Sequence, residues 1–143
     1  MENKKNFKKQ SYKENKLLII VPTLNVSIII NDLIDSLIKQ SYKNWRLLFI
    51  DGGSDNNHYK ILTECVQKDK KISIKSQSEF EVGIFEAMNQ GFNLARDDEW
   101  VIFWGSDDFA FNSKVFSSIN DDIVKVNDEG IDLLIYGAQY INI

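Results

Sequence analysis

The sequence predicts an α/β fold in which a mostly parallel sheet is flanked by helices, and three observations carry that reading. Short runs of branched apolar residues alternate with stretches of helical periodicity, which calls for strand–helix–strand units with right-handed crossovers. Two of the runs lead into acids, one at Asp51 and the other, after Gly105-Ser106, at the pair Asp107-Asp108. No internal repeat or low-complexity linker breaks the pattern, and 143 residues suffice for one domain with a core.

In chain order, residues 17–21 (LLIIV) read as a buried first strand that stops at Pro22, leaving Pro22-Thr23-Leu24-Asn25 as a loop. Ser27 can cap a helix running to about Gln40, with Ile30, Leu33, Ile34, Leu37 and Ile38 on one face. Residues 45–50 form the second strand, followed by Asp51-Gly52-Gly53-Ser54-Asp55. There the glycines allow close approach of a ligand or simply make a tight turn. A helix over 56–68 and a short alternating strand at Ile72 and Ile74 come next. Residues 79–95 read as a loop entering a helix on which Glu86 and Asn89, three apart, share a face. Val101, Ile102, Phe103 and Trp104 suit a strand buried on both faces, ending at Gly105. A helix over 113–126 and a strand over 131–136 complete the pattern.

Composition narrows the function. With 43% hydrophobic and 27% charged residues the chain reads as a soluble globular protein. No apolar run approaches the roughly 20 residues of a membrane span, and the start lacks a secretion signal, so a cytoplasmic location is expected. A net charge of −4 argues against nucleic acid as a partner. The charge is uneven: Lys4, Lys5, Lys8, Lys9, Lys13 and Lys16 make residues 1–16 a basic, solvated tail, with peripheral contact to an anionic membrane face as the alternative. Lone Cys65 and lone His58 build neither a disulfide nor a zinc site.

The chemistry concentrates at strand ends. In open α/β sheets, ligands bind in the crevice at the carboxyl ends of the strands. Ser106, Asp107 and Asp108 there could hold Mg²⁺ or Mn²⁺ together with the oxygens of a diphosphate. An Asp-Asp pair equally opens a turn and caps the next helix. Neither a GxGxxG fingerprint nor a GxxxxGK[ST] loop is present, so any phosphate handling rests on acid plus metal.

Four features in order then become informative: Pro22-Thr23-x-Asn25; Tyr42-x-Asn44-Trp45 leading to Asp51-Gly52-Gly53-Ser54-Asp55; Gly83-Ile84-Phe85-Glu86-Ala87-Met88-Asn89-Gln90-Gly91; and Ser106-Asp107-Asp108. Together they resemble the bacterial family 2 glycosyltransferases of the Rossmann-like GT-A fold, closest to members that build surface polysaccharides. The resemblance runs over residues 17–136. It implies a donor-binding part over 17–143, a truncated fold whose acceptor half and catalytic base lie beyond Ile143. The donor would be a nucleotide-diphosphate sugar, first of all a UDP-sugar, transferred with inversion to a glycan or lipid-linked acceptor.

By position, Pro22, Thr23 and Asn25 would lie along the nucleoside and Asp51 would contact the base or shape its pocket. Asp107 would meet the ribose, Asp108 would ligate Mn²⁺ or Mg²⁺, and Glu81, Glu86 and Asn89 would face the donor sugar. This chain departs from the pattern with Glu at 81 and 86 where relatives have Asp, and Phe85 for Tyr. It also lacks a second Asp at Gly52 and an aromatic at Leu24. The alternatives are a non-catalytic nucleotide-sugar-binding fragment, completed by another chain, or a regulatory α/β domain whose acids bind Mg²⁺.

Overall fold

The computed structural model describes residues 14–26, 28–80, 82–127 and 129–138. The elements are β1 (Lys16–Thr23), α1 (Ile30–Ile38), β2 (Trp45–Asp51), α2 (Asn56–Lys68), β3 (Ile72–Ser76), α3 (Ile84–Phe92), β4 (Glu99–Phe103) and α4 (Val115–Val126). The four strands form one sheet in the order β3-β2-β1-β4, and every pairing is parallel. The expected α/β architecture is therefore present. The basic tail to Lys13, the Ser27 cap, Glu81 and Asp128 lie outside the described residues.

Alternation along β1 divides the core. Leu17, Ile19 and Val21 face a large cluster with α1, α2 and α4, to which Leu33, Ile34, Leu62, Phe116 and Ile123 contribute. Leu18 and Ile20 face the opposite side with Leu48, Ile50 and Ala87 of α3. Because both faces of β1 are covered, its sequence is continuously apolar rather than alternating. Three helices share one face and α3 takes the other, so the chain switches faces between β1 and β4. Gly91 lets α3 lie against β1: a Cβ there would stand 2.5 Å from Ile20 Cγ2.

Several boundaries differ from the sequence reading. β1 continues through Pro22 and Thr23, which pair with Ile50 and Asp51, so neither residue is in a loop. Proline is tolerated because β4 pairs with β1 only as far as Ile20, whose carbonyl accepts the Trp104 N–H at 3.0 Å. Pro22 points the same way as Ile20, past the end of β4, so its missing N–H breaks no ladder bond. α1 begins at Ile30 behind Ile29, which makes no side-chain cap; turn bonds from Asn31 and Asp32 to the carbonyls of Ile28 and Ile29 start it instead.

β4 is not buried on both faces. Among the described residues it is the sheet edge, its residues are half-buried, Phe103 is 47% exposed, and Trp104 falls after the strand. The strand expected over 131–136 is also absent: residues 131–138 form no regular element. Leu134 packs against the large cluster, while Leu133 and Ile135 are exposed. Strand preference in a sequence expresses fit to a pleated, half-buried surface, and no described strand pairs with this segment.

The end of the sheet away from the acids is pinned by polar contacts. Asn120 of α4 accepts from the Asn15 backbone N–H and side-chain amide at 3.0 and 2.9 Å, and from the Tyr42 hydroxyl. Buried Gln40 accepts from Phe116 N and donates to the Asn112 carbonyl, fixing the start of α4. Arg46 of β2 grips Glu99 of β4 with two bonds of 2.6 and 2.7 Å across the intervening β1. That guanidinium, helped by the Arg96 backbone N–H, holds the Glu99 carboxyl below its ordinary value against the opposing effect of burial.

A depressed carboxylate stabilises the fold above its unfolded pKa, and the stabilisation is lost as pH falls through the folded value. Glu99→Gln is therefore expected to cost about 1.5–3 kcal/mol at pH 7, the range for hydrogen bonds to charged groups. Urea melts of both proteins should show that difference shrinking below about pH 4.3, the ordinary glutamate value.

Candidate functional site

Ligand crevices in open α/β sheets form where neighbouring strands send their connections to opposite faces, here between β1 and β4. A cleft of about 200 Å³ opens at that place, lined by Pro22 of β1, Ile84 and Met88 of α3, and Phe103, Trp104, Gly105, Ser106 and Asp107 at the end of β4. Pro22 and Asp107, which the sequence singled out, thus meet in one cleft. Its apolar wall from α3, Ile84 and Met88, falls within the Gly83–Gly91 stretch that carries the resemblance, where neither had a role of its own.

Beside the cleft the β1 and β2 ends are laced around Asp51, which is 2% exposed. Its carboxylate accepts from the N–H groups of Gly53 and Ser54 at 3.2 and 3.0 Å, from the Ser54 hydroxyl, and from Thr23 Oγ1 at 3.3 Å. The Thr23 carbonyl in turn accepts from Gly52 N at 2.8 Å. Thr23 and Asp51 therefore face each other within the frame. Asn25, at φ 48°, takes a left-handed conformation that asparagine tolerates. Its N–H donates to Ser54 Oγ at 2.8 Å, and its Oδ1 accepts from Asp55 N at 3.0 Å.

Asp55 caps α2, accepting from Asn57 N and His58 N, while His58 Nδ1 lies 2.7 Å from the same oxygen. The His58 backbone N–H, then its ring, hold the Asp55 carboxyl below its usual range. Ser54 and Asp55 organise this corner, and sequence reasoning had given them no role of their own. The signal was the Asx-type turn that Asp51 forms with the next residues.

Asp107 and Asp108 are exposed. A turn from Gly105, closed by Asp108 N to the Gly105 carbonyl at 3.3 Å, folds both carboxylates back over the strand end. A Cβ on Gly105 would stand 2.5 Å from Asp108 Oδ2 and 3.2 Å from Asp107 Oδ1. The pair therefore closes a turn that Gly105 opens, and it does not cap the next helix, since α4 begins behind Lys114.

Glu86 and Asn89 are not in the cleft wall. Glu86 is half-buried and folds back toward the start of α3, its Oε2 3.3 Å from where a Gly83 Cβ would be, while Asn89 is exposed. Among the described residues no cluster of three or more His, Cys, Asp or Glu side chains forms a self-sufficient metal cage. The side chains that could hold a cation at the end of β4 are the carboxylates of Asp107 and Asp108.

Because Asp51 holds its loop through buried hydrogen bonds, Asp51→Ala is expected to lower stability by about 2–3 kcal/mol, with the Ser54 and Gly53 N–H groups left unpaired. A urea melt measures this, and a change below about 0.5 kcal/mol would show that the loop holds its shape without the carboxylate.

The model of glycosyl transferase family 2 matches residues 18–121, a stretch that includes all four strands from Leu18 and the acid pair. A glycosyltransferase of Haemophilus influenzae without a characterised activity is 33% identical over 71% of this chain and 40% of its own length. A PGL/p-HBAD biosynthesis glycosyltransferase of Mycobacterium bovis is 28% identical over 71% of this chain and 39% of its own. The chain thus spans about 40% of the length of these two curated relatives.

Among solved structures, S. aureus TarS 1-349 in complex with UDP-GlcNAc superposes with a TM-score of 0.68 at 24% identity, over 78% of this chain and 32% of that one. The mannosyltransferase PcManGT from Pyrobaculum calidifontis, in complex with GDP-Man and Mn²⁺, gives 0.67 at 17% identity, over 76% and 32%. At these identities the likeness is one of fold, and the fold is GT-A. With the family pattern running through the sheet and its strand-end acids, the chain belongs to glycosyl transferase family 2.

Proposed function

We propose that this chain carries the donor site of a sugar transferase: it binds a nucleotide-diphosphate sugar with Mn²⁺ or Mg²⁺ at the β1/β4 crevice, for transfer with inversion to a glycan or lipid-linked acceptor. The observation that carries the reading is the pair of carboxylates folded back over Gly105 beside the cleft. Mg²⁺ and Mn²⁺ suit it, because such ions are commonly held by one or two carboxylates with substrate phosphates and water in the other positions. Asp108 would hold the ion, with Asp107 turned to the ribose. A bound divalent ion would supply charge neutralisation on the departing diphosphate.

The residues of the chain itself divide the remaining work. Pro22 and the Asn25 loop would flank the nucleoside. Asp51, already saturated by its own loop, would shape the pocket rather than bind the base. Ile84 and Met88 would present an apolar wall that excludes water from one side of the donor. Glu86 and Asn89, with Glu81, would face the sugar. TarS and PcManGT, which bind UDP-GlcNAc and GDP-Man, support a nucleotide sugar as the class of ligand.

A donor-binding unit without turnover of its own is the second reading, favoured by where the acids of α4 and the following segment lie. Asp122 is engaged by Lys125 at 2.9 Å and by the Tyr136 hydroxyl at 3.4 Å, and neither it nor exposed Asp132 lines the cleft. Product analysis with radiolabelled donor and candidate acceptors separates the two readings.

A nucleoside diphosphate with Mn²⁺ at about a hundred times its dissociation constant is expected to stabilise the fold by roughly 2.7 kcal/mol. At about 2–4 °C per kcal/mol that raises the melting temperature by roughly 5–11 °C. Chelator should abolish the rise. Asp108→Asn should abolish it too while leaving the free protein's melting within about 0.5 kcal/mol, as for an exposed substitution. No shift with any nucleoside diphosphate, with or without Mn²⁺, would overturn the proposal.

A further inference from the structure

One side chain outside every motif links the end of β2 to the start of α3. Gln77 follows β3, and its backbone N–H donates to the Asp51 carbonyl at 2.7 Å, placing it against the end of β2. Its side chain lies across Gly52: a Cβ there would stand 3.2 Å from Gln77 Oε1. The far side of the same amide donates from Nε2 to the Gly83 carbonyl at 2.9 Å. Gly83 precedes α3 at φ 111°, and its carbonyl also accepts the Ala87 N–H, the first bond of the helix. From the helix side, Gln90 Oε1 accepts from Ser78 N at 3.1 Å. Two amide side chains thus bind the connection between β3 and α3 at both ends, and the Glu86 carboxylate rests against the glycine that Gln77 holds.

We infer that Gln77 is a positioning residue for sugar recognition, tying the strand end at Gly52 to the first turn of α3 and so setting where Glu86 presents its carboxylate. The inference rests on the donor-site reading above. A nucleotide sugar lying across this edge has its nucleoside end near Gly52 and its sugar end near Glu86, and Gln77 bridges the two anchorages. Glycine at 52 is what leaves room for the bridge. A side chain there would press on the amide, which would have to give by a few tenths of an ångström, since a contact of 3.2 Å is already tight. Loss of the Gln77 amide frees Gly83 and lets Glu86 swing, while the acid pair at β4, which handles the diphosphate, keeps its own turn from Gly105.

The test is calorimetric titration of the 143-residue chain with UDP against UDP-GlcNAc and with GDP against GDP-mannose, all with Mn²⁺, for the parent, Gln77→Ala, Gln77→Glu and Glu86→Ala. The parent should bind at least one sugar donor more tightly than its nucleoside diphosphate. Gln77→Ala should hold the nucleoside diphosphate within about twofold and lose roughly three- to tenfold of the gain from the sugar, the scale of one hydrogen bond. Gln77→Glu keeps the size but has no N–H for the Gly83 carbonyl, and should match it. The double variant Gln77→Ala/Glu86→Ala should lose little more than Glu86→Ala alone, because both act through one contact.

Equal weakening of diphosphate and sugar donor in Gln77→Ala would mark a merely structural role and overturn the inference. So would a sugar gain indifferent to Gln77, or no sugar gain in the parent. A parent that binds no nucleotide at all would overturn the donor-site reading together with it, an outcome distinct from each of the others.

Discussion

The architecture of the site depends on one buried carboxylate. Asp51 sits at the last position of a central strand at 2% exposure, where an ionised group without partners would be prohibitively costly. Its four donors come from Thr23 on the neighbouring strand and from Gly53 and Ser54 just after it. Each bond that satisfies the acid also closes the loop around it. Ser54, drawn in by Asp51, receives the Asn25 N–H, and Asn25 receives the Asp55 N–H, so one strand-end acid organises two loops. The resemblance left two roles for Asp51, contact with the base or shaping of its pocket, and a carboxylate this saturated suits the second.

Sheet topology explains why the cleft lies beside that knot rather than over it. α1, α2 and α4 share one face, and α3 alone covers the other, so the strand connections diverge between β1 and β4. Gly91 presses α3 so closely to Ile20 that the helix has little freedom to slide. Its first turn therefore reaches the strand ends at a fixed height, with Ile84 and Met88 turned toward Pro22 and the β4 acids. Phe85 and Phe92 of the same helix are exposed, at 73% and 57%.

What the sequence made legible follows the range of the interactions involved. Strand–helix alternation and the acids at strand ends are local signals, and 17–21, 45–50 and 56–68 fall within a residue or two of the observed elements. The edge position of β4 was not legible, because an apolar run looks alike in a central strand and in an edge strand with one half-covered face. Residues 131–136 misled for the same reason: IDLLIY has the composition of a strand, but a strand also needs a neighbour. Pro22 read as a stop because proline lacks a donor, and only the length of β4 shows that no donor was needed there. Gln77 carried no signal, and Gln90 and Gly105 stood in the sequence pattern without a role of their own, since their roles lie in distances to residues of other segments or in a turn whose shape the sequence does not spell out.

The acid pair at the end of β4 bears most directly on ligand class. Asp107 and Asp108 share the space that a Gly105 side chain would occupy, and among the described residues neither forms an ion pair. Two like charges held together at an exposed edge repel, by about 1 kcal/mol at 4 Å in water. A turn that nevertheless turns both toward one point stores a preference for positive charge there. Lysine or arginine could have supplied it internally, as Arg46 does for Glu99 at the opposite end of the same strand. If a metal ion supplies it, as proposed, that ion would arrive with other oxygen ligands. On the proposed reading, the diphosphate is what completes that coordination. A neutral sugar alone would bring no charge to bridge, so on that reading the nucleotide end of the donor would carry the anchorage at the acids, and the sugar would be read by groups that α3 holds in place.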